Sequence, residues 1–301
     1  MITYMANPVN MAFGPMLAGN LGMIVTPKQG NKLMAGVTWC LDNGCGPGKD
    51  GQIGGGYPGD AKFLELLDKY RAYSDDCLFV VAPDVLCDAA ATLARSEPMF
   101  TEIRKRGYKA ALVAQDGLEH IKDQIPWDKF DCLFIGGSTE WKLGKAARRL
   151  IRLARKYGKW IHMGRVNSYK RLAYAHSIGC DSADGTYCVR KPSYCVPKVL
   201  EWLKNSRHRV PLRMLGRQEI LSAVAEYDEI GQAAFLAKYG FGRARSYRLT
   251  INGKTYDSKA IVGAAYGYLR GRAALTAADF TGGAASVQRL LNGLGFQVQI
   301  V

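Results

Sequence analysis

Leu112-Val113-Ala114-Gln115-Asp116-Gly117, then Leu133-Phe134-Ile135-Gly136-Gly137-Ser138, then Ile161-His162-Met163-Gly164-Arg165: three times in succession a short apolar run breaks into amide, glycine or charged residues. Runs this short and this continuously apolar read as strands buried on both faces, as in a parallel sheet. The pattern extends in both directions. Trp39-Cys40-Leu41 runs into Asp42-Asn43-Gly44, Phe79-Val80-Val81-Ala82 into Pro83-Asp84, and Ser177-Ile178-Gly179-Cys180 into Asp181-Ser182-Ala183-Asp184-Gly185. Expected strands are Met23–Thr26, Val37–Leu41, Leu78–Ala82, Ala110–Ala114, Cys132–Ile135 and Trp160–Met163, with helices at Ala61–Tyr73, Leu143–Tyr157 and Tyr169–Ser177. This alternation predicts an α/β fold, a (β/α)8 TIM-type barrel. Such barrels usually take ~250 residues. Here the alternation stops near Arg207, so some helices should be reduced or missing.

In a (β/α) barrel the carboxyl ends of all strands meet at one mouth, where the chemistry sits. Asp42, Asp84, Gln115, Gly136, Gly137, Gly164 and Asp184 would then converge, although Asp and Gly are also ordinary turn formers. Convergent carboxylates suit a guanine-like base, whose amino and ring N–H groups they accept. They also suit glycosidic cleavage, which needs one carboxylate as nucleophile and another to manage a proton.

The 301 residues carry 41 Lys and Arg against 26 Asp and Glu, a net charge of +15. That excess favours polyanions such as nucleic acid without naming one. It is spread along the chain, about +5 from Arg213 onward and +10 before it. No apolar run approaches the ~20 residues of a membrane span, and the first residues lack a signal peptide's pattern, so a cytoplasmic protein is expected. The eight cysteines are scattered and read as buried thiols, not as a disulfide framework.

The segments Asp42-Asn43-Gly44, Gln115-Asp116-Gly117, Phe134-Ile135-Gly136-Gly137, His162-Met163-Gly164 and Gly179-Cys180-Asp181-Ser182-Ala183-Asp184 resemble, in order, the landmarks of the tRNA-guanine transglycosylase superfamily. The resemblance covers about 1–203 and is nearest to the DpdA branch, which exchanges guanine in DNA for a 7-deazaguanine such as 7-cyano-7-deazaguanine. It implies that Asp184 is the nucleophile, forming a covalent sugar ester, and Asp42 the general acid/base. It implies base recognition by Asp84 and Gln115 and a backbone contact from Gly136-Gly137, with Gly164 beside them. Asp181 would orient the nucleophile or merely cap its turn. His162 is expected as a packed or base-edge residue, and Arg165 and Arg171 as contacts to flanking phosphates. The expected partners are DNA and a free deazaguanine base, with tRNA as the alternative polymer. A base-excising glycosylase or a catalytically dead modified-DNA binder on the same fold are further alternatives.

The sequence departs from the tRNA enzymes at Asp42-Asn43-Gly44-Cys45-Gly46, where only the Asp and first Gly match, and in the zinc site. Cys188, Cys195 and His208 are too loosely spaced to resemble a structural zinc site, so no cofactor is expected, zinc at this set being the alternative. The glycine-rich stretch 49–58 lacks the Gly-Lys-Ser/Thr ending of a phosphate loop and reads as a lid beside Asp42. The helix expected at Leu143–Tyr157 carries Lys145, Arg148, Arg149, Arg152, Arg155 and Lys156 on one face, either solvated or against DNA.

After a linker at 208–217, a second domain at 218–301 is expected, small and α+β. Asn252-Gly253 between two alternating runs predicts a hairpin. Glu226-Tyr227-Asp228-Glu229, 235–242, 256–261 and 278–283 resemble the N-terminal head domain of McrA-type (ScoMcrA-like) HNH restriction endonucleases, without an HNH motif. That resemblance implies DNA binding. Arg243, Arg245, Arg248, Lys254 and Lys259 are the phosphate-contact candidates, a solvated basic face being the alternative.

Overall fold

Three of the expected strands, Ala110–Ala114 (β5), Cys132–Ile135 (β6) and Trp160–Met163 (β7), form at the expected residues. They belong to a computed structural model that describes residues 2–29, 32–46, 56–207, 212–269, 272–280 and 282–300. The other barrel strands are Thr3–Ala6 (β1), Gly22–Val25 (β2), Trp39–Leu41 (β3), Cys77–Val81 (β4) and Ser182–Gly185 (β8). All eight pair in chain order, and β1 pairs in parallel with β8, closing the barrel. The chain divides into two units, Met1–Arg207 and His208–Val301.

Helices Asn10–Leu17 (α1), Asp60–Lys69 (α2), Ala89–Lys105 (α3), Thr139–Leu143 (α4), Lys145–Lys156 (α5), Tyr169–Ser177 (α6), Tyr187–Arg190 (α7) and Pro192–Arg207 (α8) connect the strands or follow β8. Among the described residues, the β2–β3 and β5–β6 connections have only single 3-10 turns, at Pro27–Gln29 and Lys122–Gln124. These two abbreviated crossovers let the barrel close within about 200 residues.

The expected helix from Leu143 to Tyr157 is two. Ser138 caps α4, its Oγ accepting from the Trp141 amide, and Gly144 opens α5. The faces of α5 are as expected, with Ala147, Leu150, Ile151 and Ala154 buried. Part of its basic face is used internally, since Arg155 pairs with Asp181 and Arg148 donates to the Gly144 carbonyl.

Alternation along the strands sorts side chains into two layers. Met5, Ile24, Cys40, Phe79, Val81, Ala111, Val113, Cys132 and Phe134 form a cluster of their own, the inside of the barrel. Their neighbours, such as Leu112, Leu133, Ile135, Ile161 and Met163, pack outward beneath the helices. On β7 and β8 the inward positions are instead polar: His162 lies opposite Ser182, and Asp184 is two residues further along. The inner core is therefore apolar over six strands and polar over two.

The second unit holds helices Arg217–Ile230 (α9), Gln232–Tyr239 (α10), Ser258–Gly267 (α11) and Arg289–Gly293 (α12). They accompany an antiparallel sheet ordered β10-β9-β11 from Tyr247–Ile251 (β9), Lys254–Asp257 (β10) and Gln297–Ile300 (β11). The expected hairpin turns at Asn252 (φ 50°) and Gly253 (φ 77°), the two positive values that its two-residue turn requires. Its core includes Leu249, Ile220, Phe235, Ile261 and Leu291.

Asp257 ties this unit together. Buried at the end of β10, it accepts from the Tyr227 hydroxyl at 2.6 Å, Gln232 Nε2 at 2.8 Å and the Ala244 amide at 2.5 Å. Burial opposes its ionisation, but the Ala244, Gln232 and Tyr227 donors outweigh it and hold its pKa below the usual range. Asp257→Ala orphans three donors and is expected to cost about 3 kcal/mol. Amide hydrogen exchange across α9 and α11 should accelerate by about 100-fold, with the barrel amides unchanged.

Candidate active site at the barrel mouth

The turn after β3 places Asp42 where the chain leaves the barrel, its Oδ1 accepting from the Gly44 amide at 2.7 Å. Burial pushes Asp42 up to about 6; the Gly44 amide pulls it back, and the nearby Asp184 and Asp84 carboxylates push it further up. Asn43, beside it, turns inward. Its Nδ2 donates to the Ala82 carbonyl at 2.7 Å and to Asp84 Oδ1 at 2.8 Å. Asp84, buried after β4, also accepts at Oδ2 from Gln115 Nε2 at 2.5 Å. Burial raises its pKa against the Asn43 and Gln115 hydrogen bonds. Its own amide and the Cys45 thiol also hydrogen-bond to it, so with about four acceptor positions on a carboxylate a ligand's N–H groups would take the place of one of these.

Gln115 sits at the mouth as expected, but both ends of its amide are engaged, since Oε1 accepts from the Cys87 amide at 3.1 Å. In this state it positions Asp84. The amides of Gly136 and Gly137 donate to the Ala114 carbonyl at 3.1 and 3.2 Å, and both carbonyls accept from Arg165 Nη2. The expected backbone contact to a base therefore requires one of these bonds to open. Asp116, next to Gln115, latches the neighbouring loop by accepting from the Ser138 amide and hydroxyl, each at 2.6 Å.

Asp184, near the end of β8, is 16% exposed and accepts from His162 Nε2 at Oδ1, 2.9 Å away. Its Oδ2 has no hydrogen bond among the described residues. Gly164 makes room for it: a Cβ there would strike the Phe134 ring at 2.7 Å and lie 3.4 Å from Asp184 Oδ1. Arg165 follows at φ 59°, an uncommon left-handed conformation for a side chain of this size and one that concentrates at functional sites. The Arg165 carbonyl accepts from Arg171 Nη1 at 3.3 Å, so the two arginines expected to meet phosphates do lie together.

Asp181 does not join the site. It precedes β8 at the opposite end of the barrel, where its Oδ2 accepts from the Ile161 amide at 2.8 Å and pairs with Arg155 at 2.7 Å. The strand begins after Cys180, not before it, so of the two aspartates in this segment only Asp184 reaches the mouth. Asp181 closes the bottom of the barrel.

Sequence reading missed two members of the site. Asn43 was legible only as a turn former, although its side chain supports Asp84. Lys142 stands just ahead of the expected basic helix; it lies on α4 and is 1% exposed, with Nζ donating to the Gly164 carbonyl at 2.6 Å. Burial and the Arg165 guanidinium pull it down to about 7; Asp184 opposes this and Arg171 adds to it. Its spacing of three and seven residues from Lys145 and Arg149 groups it with the cations, so no pattern in the sequence signals its burial, which follows the break between α4 and α5 at Gly144.

Cys188 and Cys195 are buried thiols, His208 lies outside the described residues, and among the described residues no group of three His, Cys, Asp or Glu could hold a metal. Of the expected lid at 49–58, residues 49–55 also lie outside the described residues. Among the described residues no helix is long and apolar enough to cross a membrane.

In the second unit, Arg243 and Arg245 are exposed, with no hydrogen bond or ion pair among the described residues. The other candidates are engaged locally. Arg248 Nη1 reaches Thr255 Oγ1 at 3.5 Å, Lys254 pairs with Asp228 at 3.2 Å, and Lys259 donates to the Ala277 carbonyl at 2.6 Å while lying over the Phe280 ring.

Comparison with known proteins bears mainly on this second unit. No curated protein matches the chain. Among solved structures, one of an Amycolatopsis orientalis BexX/CysO complex is 14% identical, covering 68% of this chain and 89% of that one, with a TM-score of 0.41. A glycosyl hydrolase of family GH3 from Mycobacterium smegmatis is 12% identical, covering 68% and 87%, with a TM-score of 0.39. The Type IV phosphorothioation-dependent restriction endonuclease ScoMcrA is 32% identical over 29% of this chain, with a TM-score of 0.20, and the chain spans only 13% of that protein. Residues 213–300 match the family model of the ScoMcrA-like N-terminal head domain.

Proposed function

We propose that this protein is a transglycosylase that exchanges guanine in DNA for a 7-deazaguanine such as 7-cyano-7-deazaguanine. The observation that carries the reading is the gathering of Asp42, Asp84 and Asp184 at one barrel mouth, with Asp184 Oδ2 unengaged and Asp42 raised to about 6. A single fixed carboxylate nucleophile and a second carboxyl that changes protonation near neutrality are what glycosidic exchange requires. The ordered resemblance of the segments around them to the transglycosylase landmarks supports the same chemistry.

In this reading Asp184 Oδ2 attacks the anomeric carbon from the face opposite the base. The C1′–N9 bond breaks, and Asp42 in its acid form gives its proton to the departing guanine. The sugar remains on Asp184 as an ester. Asp42, now a carboxylate, takes the N9 proton of the incoming deazaguanine, whose nitrogen attacks C1′ and releases Asp184. Two inversions leave the configuration at C1′ retained. Asp84, held by Asn43 and Gln115, accepts from the base's amino and ring N–H groups. Arg165 and Arg171 form a cationic rim suited to the flanking phosphates.

The head-domain match favours DNA over tRNA as the polymer, because the endonuclease that shares this domain acts on modified DNA. Arg243 and Arg245 would contribute backbone contacts. Arg243→Ala/Arg245→Ala is expected to weaken DNA binding and to lower the slope of log K against log salt by about 2, since each phosphate contact contributes roughly 0.9. Titrations by fluorescence anisotropy at several salt concentrations would detect this, and an unchanged slope would place the DNA elsewhere.

The direct test is nucleoside mass spectrometry of plasmid DNA and tRNA from cells that express the protein and make 7-cyano-7-deazaguanine. A deazaguanine deoxynucleoside in the DNA is the expected result. The base in tRNA alone would transfer the reading to that polymer, and abasic sites without new base would make the protein a glycosylase.

A further inference from the structure

The polar inward positions of β7 and β8 form a continuous thread from the bottom of the barrel to its mouth. Trp160 opens β7, and its indole Nε1 donates to Ser182 Oγ at 2.8 Å. Ser182 Oγ lies 2.8 Å from His162 Nδ1, and His162 Nε2 lies 2.9 Å from Asp184 Oδ1. Ser182 and His162 are both fully buried. The imidazole is wedged between Phe79, edge-on at 5.0 Å between centroids, and Phe134, tilted at 4.5 Å. It therefore has one orientation, and only the placement of its protons is left to decide.

The donors decide it. An indole N–H can only donate, so it occupies one acceptor position of Ser182 Oγ. The hydroxyl hydrogen then needs an acceptor, and among the described residues His162 Nδ1 is the one within reach. With Nδ1 accepting, the ring's single N–H is on Nε2 and points at Asp184 Oδ1. Each bond in the series runs in one direction, and such chains polarise along their length.

We infer that Trp160, Ser182 and His162 are positioning residues that hold His162 in its Nε2–H tautomer, so that Asp184 is gripped by Oδ1 and presents Oδ2 alone to the sugar. The role assigned to Asp184 rests on the transglycosylase reading, whereas the tautomer does not. The arrangement has a chemical consequence in each half of the exchange. While Oδ2 attacks, the His162 bond fixes the rotation of the carboxylate. While the ester is cleaved, the charge returning to the carboxylate is met by an N–H already in place, with no reorganisation. An apolar residue at 162 would leave the nucleophile free to rotate, and the opposite tautomer would turn a lone pair toward it.

The test is long-range proton–nitrogen spectroscopy of the imidazoles in uniformly nitrogen-15-labelled full-length protein. The chain has four histidines, so His162→Gln assigns the signal. The expected spectrum has His162 protonated at Nε2 and bare at Nδ1. Ser182→Ala should convert this to an averaged mixture of tautomers and lower kcat for base exchange about tenfold with KM for DNA unchanged. Ser182→Thr, which keeps the hydroxyl, should restore both. Trp160→Phe removes the first donor without opening a cavity in the barrel and should shift the tautomer in the same direction, which covers a failure of Ser182→Ala to fold. A wild-type ring protonated at Nδ1 or at both nitrogens would overturn the inference, as would an unchanged ring in both Ser182→Ala and Trp160→Phe. A ring as expected in a protein that exchanges no base would leave the thread standing and remove the transglycosylase reading instead.

Discussion

Asp184→Asn is expected to abolish base exchange, by at least about 10³-fold, while DNA binding stays within about twofold of wild type. The substitution keeps the side-chain shape and leaves an amide oxygen for His162 Nε2, 2.9 Å away in the native site, so β8 and the mouth should not rearrange. What it removes is the nucleophilic oxygen at Oδ2, the position without a hydrogen bond among the described residues. Single-turnover assays on a guanine-containing duplex should show neither released guanine nor a protein–DNA adduct, whereas wild type trapped without an acceptor base should show both. Normal exchange by Asp184→Asn would remove the covalent mechanism, and normal release without an adduct would point to water as the nucleophile. Lost binding would mean that the carboxylate has a structural role.

Asp42→Asn is expected to act in opposite directions on activity and stability. Activity should fall about 10²- to 10⁴-fold, the usual contribution of a positioned acid/base. In single-turnover guanine release the wild-type rate should decline as pH rises through about 6, because the proton that Asp42 donates is lost there, and the inflection should vanish in the variant. Stability follows from the same raised pKa. The folded protein holds this proton more tightly than the unfolded chain, so its stability is fully present below about pH 4 and is reduced as pH rises through about 6. A shift of about two pKa units corresponds to roughly 2–3 kcal/mol, of which about 2 is expected after allowing for partial exposure of the group. Asp42→Asn should therefore be more stable than wild type at pH 8 and equal to it at pH 4 in urea unfolding monitored in the barrel. A variant equally stable or weaker at both pH values would show that Asp42 is not held at a cost, and its role as a tuned acid would fall.

Much of the architecture was legible because it depends on local pattern. Continuous apolar runs marked β4 to β7 within a residue or so, and Asn252-Gly253 marked the hairpin. These features arise from burial and backbone sterics that act over a few residues. Strand β1 escaped notice because Thr3–Ala6 is short and mixes Thr and Tyr with its apolar residues; it is held by pairing with β2 and β8. The segment before Asp181 looked like a strand because it is apolar, but it ends α6 and turns, and the strand proper is the less apolar Ser182–Gly185.

By itself, then, the sequence determined that the chain makes a parallel α/β barrel with acidic residues at its strand ends, followed by a separate α+β unit. Period and punctuation are properties of neighbours along the chain. Only the tertiary structure decided which polar residues share the mouth, because that depends on register between strands distant in sequence. Register placed His162 against Ser182 and beneath Asp184, moved Asp181 to the far end, turned Asn43 onto Asp84 and buried Lys142 under Gly164. A shift of one residue on β8 would have sent Asp184 outward, since alternate side chains of a strand face opposite sides.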